Sequence, residues 1–286
     1  AVRRPAASVA RWPGSDGVTV NFITLDYIDL ALAGSLVLLN AGLSIVLQLG
    51  LAKRFLIAAA RMTVQLMLVG LALKMLFALA SPFWTALVAL TMVLFAGYEI
   101  MARQDRRFKG WWGYGLGATT VFTAALLVSV FALTTQVRPD PWYDPRYAIP
   151  ILGMILGNTM TGVGLGLHTI TTAAHRERAA IEARLALGAT RAQAFRVVSR
   201  FSLRTAMIPI INSMTATGLI ALPGMMTGQI LSGVDPAEAV KYQLLISFLI
   251  AGGAGIGALV AVIGGARLLS DGRHRLRLNR LHPPRD

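Results

Sequence analysis

Residues 176–190 read RERAAIEARLALGAT, and the arginine-rich segment they open continues through Arg191, Arg196, Arg200 and Arg204 to Ile208–Pro209. Long uncharged runs lie on both sides of it. Gly188 offers the left-handed backbone that ends a helix. Thr190, with Gln193 three residues on, forms a capping box that starts another. The stretch is therefore a bent helical hairpin, 176–204, carrying charge on one side of a chain that is otherwise built for a membrane. Such a hairpin has the form of a docking surface.

The flanking sequence fixes the fold class. The chain has 286 residues, 55% of them hydrophobic, with a mean hydropathy of +0.62, too apolar for an ordinary soluble domain. Asp, Glu, Lys and Arg are absent from 30–52, 113–137, 147–175, 205–234 and 242–266. Each run reaches the ~20 residues that a helix needs to cross a bilayer. Two further apolar stretches, about 56–78 and 83–101, carry Arg61, Lys74 and Glu99 near their ends. The reading is an all-α integral membrane protein of about seven spanning helices, with 205–234 long enough to hide a break.

The net charge of +14 would suit a nucleic-acid binder, but its placement argues otherwise. Lys and Arg number three at 52–61, four at 102–112, seven at 176–204 and six at 267–286. The alternate connections carry none at 79–82, two at 138–146 and one at 235–241. This alternation is the positive-inside pattern. It places the hairpin and the C-terminus in the cytoplasm and the N-terminus outside, although Arg3, Arg4 and Arg11 run mildly against it. No nucleic-acid partner is expected; the lipid bilayer is.

Three regions follow: a flexible tail over 1–26, a permease-like membrane region over 27–266 and a basic cytoplasmic tail over 267–286 that meets the anionic inner leaflet. The first 26 residues lack a signal-peptide core, so the first apolar span is expected to direct insertion. The chain has no cysteine, which excludes disulfides and thiolate metal sites. Gly153 and Gly157 in the fifth span, and Gly253 and Gly257 in the last, are GxxxG pairs suited to close helix packing, most simply within the chain.

Enzymatic machinery is not found. The sequence has no Gly-x-Ser-x-Gly elbow, HExxH or P-loop, and its histidines (His168, His175, His274, His282) are dispersed. His168 and His175 roughly share a helix face, but two ligands make a poor metal site. Polar side chains inside apolar spans are the better guide, because they are costly there and line pathways or interfaces. The candidates are Gln65, Asn158, Thr159, Thr161, Asn212, Ser213 and Thr215. Methionines accompany them: Met154, Met160, Met214, Met225 and Met226. A thioether is a soft ligand but more often a core filler. The run Leu222–Pro223–Gly224–Met225–Met226–Thr227–Gly228 breaks a helix at Pro223–Gly224. Irregular backbone at membrane depth is tolerated only inside protein or along a wet cavity. The run either lines a pathway or forms an external turn. The substrate-pathway set is Gln65, Asn158, Asn212, Met225 and Met226.

With these residues in view, the chain resembles the Fet-type ABC exporter permeases, a family assigned to iron export and related to plant aluminium-tolerance ABC permeases. The resemblance rests on Ile149–Asn158, Leu185–Thr190, Leu222–Gly228 and Gly233–Gln243. It extends over roughly 27–266 and is densest over 147–250. Glu182–Ala183–Arg184 followed by Gly188 is also similar to the EAA loop of ABC importer permeases, the coupling helix that sits in a cleft of the ATPase; Arg184 stands where that loop has alanine. The resemblance implies a permease subunit with no cofactor or ATP site of its own, in the bacterial inner membrane. Two copies of a separate ATP-binding subunit would hold ATP and Mg, and two permease copies would form a homodimer. Glu182, Arg184, Gly188, Ala189 and Thr190 would make the ATPase contact. The implied cargo is iron or another metal ion. The alternatives are a nucleotide sugar or other organic anion, for which Arg61 and Lys74 are candidate contacts, and an ATP-independent channel or membrane-embedded enzyme.

Overall fold

The computed structural model describes residues 26–79, 81–273 and 275–283. The expected N-terminal tail therefore lies, apart from Asp26, outside the described residues, as do His274 and the last three positions. Among the described residues nine α-helices follow one another: α1 (Tyr27–Val46), α2 (Ala52–Leu79), α3 (Pro82–Ala102), α4 (Trp111–Phe131), α5 (Pro145–Arg176), α6 (Arg178–Ala186), α7 (Arg191–Ala216), α8 (Gly224–Leu231) and α9 (Pro236–Leu268). A π-helical turn, Ala132–Val137, prolongs α4, and a 3₁₀ turn, Leu278–Arg280, lies near the C-terminus. No β-strand occurs among the described residues. Among the described residues six helices are long and apolar enough to cross a membrane: α1, α2, α3, α4 with its π turn, α5 and α9. The protein is an all-α, multi-pass membrane protein.

The seventh expected span, 205–234, is not one helix. It holds the end of α7, an irregular turn over 217–223 and α8. At ~1.5 Å per residue, the eight residues of α8 reach about 12 Å, well short of the ~30 Å hydrocarbon core. The break begins earlier than Pro223–Gly224. Gly218, at φ +94°, donates its N–H to Ala221 O at 3.0 Å, and Thr217 Oγ1 bonds back to Ser213 O at 2.7 Å.

The chain divides into two compact units. In one, α1 and α2 pair as a hairpin, joined through Leu51 N–H donating to Ser44 Oγ at 3.0 Å. The same unit contains α8 and the first residues of α9. Its side chains are overwhelmingly apolar and outward-facing, as lipid contact requires. In the other unit, α5 packs against α7, α4 and α3. Ile100, Val121, Ala124, Ile155, Val163, Leu167, Ile170 and Val262 are buried in its core.

Small residues let these backbones approach. A Cβ placed on Gly257 would stand 2.6 Å from Thr159 Cγ2, and one on Gly253 would stand 3.0 Å from Thr159 Oγ1. One on Gly97 would meet Ala118 Cβ at 2.6 Å. The GxxxG pair of α9 is therefore spent on packing within the chain. The pair in α5 is split: a Cβ on Gly153 would meet Met92 Cε at 3.3 Å, whereas Gly157 has open space beside it.

The basic C-terminal segment folds back on the protein. Asp271 Oδ1 accepts from the N–H groups of Arg273 and Arg275 at 3.0 and 2.8 Å, and its Oδ2 accepts from Arg275 Nε and Arg277 Nε, each at 3.0 Å. These bonds, led by the Arg275 N–H, lower the Asp271 carboxyl to about 2. Beyond this clamp, Phe108 and Leu281 pair as an antiparallel bridge, and both are buried. Lys109 N–H bonds to Arg280 O and His282 N–H to Arg107 O, both at 2.7 Å.

Candidate functional site

The arginine-rich segment is a helix–turn–helix whose turn is closed at every terminus. Gly188 has φ +86°. Its N–H donates to Leu185 O at 3.1 Å, and Ala189 N–H donates to Arg184 O at 3.0 Å. This is the paired bonding of a Schellman stop, with glycine at the left-handed position. Thr190 then caps α7. Its own N–H reaches Gln193 Oε1 at 2.8 Å, and Gln193 N–H returns to Thr190 Oγ1 at 3.4 Å. Gly188, Ala189 and Thr190 thus act together as one bend.

Arg184 bridges the two arms. Its Nη1 donates to Ala194 O at 3.3 Å. Ile181, Ala194, Phe195 and Val198 are buried between the arms. Glu182 sits half-exposed and pairs with Arg178 at 2.9 Å. A surface pair of this kind is worth only a few tenths of a kcal/mol, so its carboxylate is easily exchanged to another cation. Leu187 projects from the tip, 87% exposed. On α7, Arg196, Arg200 and Arg204 recur every four residues and are all exposed. The hairpin is a stiff element with an apolar tip and a basic outer face.

The pathway candidates fall in both units. Gln65, Met225 and Met226 belong to the unit of α1, α2 and α8; Asn158, Asn212 and Pro223 belong to the other, and Gly224 opens α8. Gln65 is exposed and the two methionines are half-buried. Neighbouring polar residues on α5 separate. Thr159 is wholly buried against α9, and its Oγ1 finds no hydrogen-bond partner among the described residues. Asn158 and Thr161 are exposed.

Those two belong to a seam that single residues do not reveal. Met154, Asn158, Thr161, Leu165, His168, Thr172 and His175 are spaced alternately by four and three, and every one is exposed or half-exposed. Leu152, Ile155, Thr159, Val163, Leu167 and Ile170, elsewhere on α5, are buried. Asn158 Nδ2 donates to Met154 O at 2.9 Å, and Thr161 Oγ1 donates to Gly157 O at 3.1 Å. One donor of each is taken by its own helix, which leaves both oxygens and the second Asn158 N–H for other partners. At the hairpin end, His168 Nδ1 lies 3.8 Å from Asp105 Oδ2. Among the described residues, no three His, Asp or Glu side chains gather as a metal site.

The family model described as an uncharacterised protein family, UPF0014, matches residues 27–269. The chain belongs to that family. It is 38% identical over 233 residues to the UPF0014 membrane protein slr1647 of Synechocystis, covering 80% of this chain and 87% of the relative. It is 32% identical over 253 residues to the probable iron export permease protein FetB of Escherichia coli, covering 88% and 95% respectively. The UPF0014 membrane protein STAR2 of rice is 35% identical over 251 residues, 87% of this chain and 85% of the relative. No solved structure matches. The family match spans the hairpin, the α5 seam and the 217–235 break together.

Proposed function

We propose that this chain is the permease subunit of an ABC-type transporter that exports iron or another metal ion, working as a homodimer driven by two copies of a separate ATP-binding subunit. ATP and Mg reside on that partner, and no catalytic residue is assigned here. The observation that carries the reading is the closed hairpin 176–204. A segment pinned by a Schellman stop, a capping box and the Arg184–Ala194 bridge moves as a rigid piece. A lever must do so to relay closure of an ATPase. Glu182, the Leu187 tip and the α7 arginines supply the contact, with Gly188, Ala189 and Thr190 holding its shape.

The α5 seam supports the second half of the proposal. A polar stripe along a membrane-spanning helix needs protein or water opposite it. A spacing of 3.5 residues suits packing against a symmetry-related copy. Its amide and hydroxyl oxygens can coordinate a cation, and the name of the E. coli relative points to iron. Asn158, Asn212, Gln65, Met225 and Met226 are proposed as pathway residues. The Lys/Arg counts favour an orientation with the hairpin and C-terminus in the cytoplasm of a bacterium and the N-terminus outside.

The test is co-purification with the cognate ATP-binding subunit, then ATP hydrolysis in proteoliposomes with ferrous iron, other divalent ions or UDP-glucose. Stimulation by a metal is expected. Stimulation by UDP-glucose alone would transfer the site to organic anions, and failure of any ATPase to bind would end the transporter reading. Cysteines placed at Ser81, Ala192 and Ala237 check orientation: an impermeant reagent should label 81 and 237 from outside and 192 only after lysis.

A further inference from the structure

The folded C-terminus creates a cavity that the transport reading does not use. Its volume is about 380 Å³, and Phe108, Lys109, Trp112, Leu268, Asn279 and Arg280 line it. That volume falls within the roughly 300–1,000 Å³ of small-ligand sites. Its place in the fold is specific. Trp112 lies in the first turn of α4 and Leu268 is the last residue of α9. Both helices are long and apolar enough to span a bilayer, so the cavity opens where lipid headgroups meet acyl chains.

The walls match that boundary. Phe108, Trp112 and Leu268 are apolar, while Lys109, Asn279 and Arg280 are exposed and polar. Arg280 uses one nitrogen, Nη1, on Leu268 O at 2.8 Å. That bond anchors the guanidinium and leaves its other N–H groups free to donate. Lys109 has no ion pair among the described residues. Two cations are thus held at the mouth of an apolar cleft with no ion pair to a carboxylate among the described residues. The Lys109 N–H to Arg280 O bond sets their backbones together, and Arg280 N–H bonds to Arg277 O at 3.2 Å.

We infer that this cleft is a binding site for one anionic phospholipid. The phosphate is bound by Lys109 and Arg280, Asn279 bonds the headgroup, and the upper acyl chain lies along Trp112 and Leu268. The site ties the C-terminal hook to the bilayer. The inference needs only a membrane-spanning chain; substrate and ATPase do not enter it.

The test is native mass spectrometry of the full chain in detergent, titrated with phosphatidylglycerol or phosphatidylcholine. Each basic residue at an anionic surface is worth about 1 kcal/mol. The double variant Lys109→Gln, Arg280→Gln should therefore bind phosphatidylglycerol about 30-fold more weakly. The control Arg106→Gln, Arg273→Gln removes the same charge outside the cleft and should lose less than about 3-fold. Equal losses in both variants would reduce the effect to general surface charge and overturn the site. So would equal binding of phosphatidylcholine, or full displacement of the lipid by millimolar inorganic phosphate. Limited trypsin cleavage after Arg275 and Arg277, which every variant keeps, reports whether the hook still folds. A double variant that loses lipid while keeping a protected hook supports the site; one whose lipid affinity is unchanged refutes it.

Discussion

Gly188 is the position at which local structure and the proposed mechanism can be tested by one substitution series. At φ +86° it lies where an L-residue pays roughly 1–2 kcal/mol for the approach of its Cβ to the backbone. A Cβ placed there would meet nothing within 4 Å. Any cost of Gly188→Ala is therefore backbone strain and not collision, which makes it calculable. One to two kcal/mol corresponds to an about 5- to 30-fold rise in opening of the bend. Asn tolerates this region better than alanine, and a β-branched residue tolerates it worse. The order of damage should run Asn, Ala, Val. Amide exchange at Gly188 and Ala189, whose N–H groups hold the Schellman bonds, should quicken in that order. The melting temperature should fall by no more than the few degrees that about 1–2 kcal/mol removes from a chain of this size. If the hairpin relays ATPase closure, transport-coupled hydrolysis falls in the same order while dimerisation persists. Valine at 188 with wild-type exchange would refute the strain argument. Fast exchange with wild-type coupling would remove the hairpin from the mechanism.

Gly257→Leu should cost about 1–3 kcal/mol by overpacking, since its Cβ alone would stand 2.6 Å from Thr159, and the detergent melting temperature should drop by several degrees. Gly157→Leu, with open space beside it, should leave the monomer's melting temperature in place and weaken self-association if the α5 seam is the dimer contact. The depressed Asp271 carboxyl stabilises the hook in full above about pH 4, and that contribution is lost as pH falls toward about 2. Hydrogen exchange of residues 270–283 should therefore be flat from pH 8 to 5 after correction for intrinsic rates and should rise below about 4, and Asp271→Asn should make it fast throughout. The pair Met225→Leu, Met226→Leu preserves volume at a cost below about 1.5 kcal/mol; metal-stimulated hydrolysis should fall while basal hydrolysis stays, and unchanged stimulation would make both methionines packing residues.

The membrane spans were legible because the physics that selects them is local. A run without charge long enough to cross a bilayer needs no knowledge of its neighbours, and α5 ends at Arg176, where the uncharged run ends. The hairpin was legible for a related reason: Gly188, Thr190 and Gln193 make their bonds within a few residues of one another. The break after α7 was only half visible. Apolarity is the same on both sides of it, and the turn begins at Gly218, ahead of the conspicuous Pro223–Gly224. The hook was not visible at all. Its basic composition reads as a tail until Phe108 and Leu281, far apart in sequence, are found paired. Among the polar candidates on α5, one step along the helix turns a side chain by about 100°. Thr159 is therefore sealed against α9 while Asn158 looks outward. Sequence marks both as costly in a membrane; only the packing says which of them needs an explanation outside the chain.

That separation bears on how the proposed transporter would work. α5 carries the acceptor-lined seam, and it passes into the hairpin through one residue, Glu177. Its N–H still bonds to Ala173 O at 2.8 Å, and its carbonyl already accepts from Ile181 N–H at 3.0 Å. Ile181 is fully buried beyond that joint. The hairpin therefore has no slack in which to dissipate a push, and α7, its other arm, packs along α5. A displacement applied at Leu187 and Glu182 must move α5 and α7 nearly as one body, because packed interfaces shift as units and do not deform continuously. In a homodimer that meets along α5, such a shift changes the spacing of two facing rows of Asn158, Thr161 and His168. If the hairpin docks an ATPase and the seam faces the cargo, as proposed, the two are parts of one helix pair, and substrate release would follow from the geometry of that pair without a further relay.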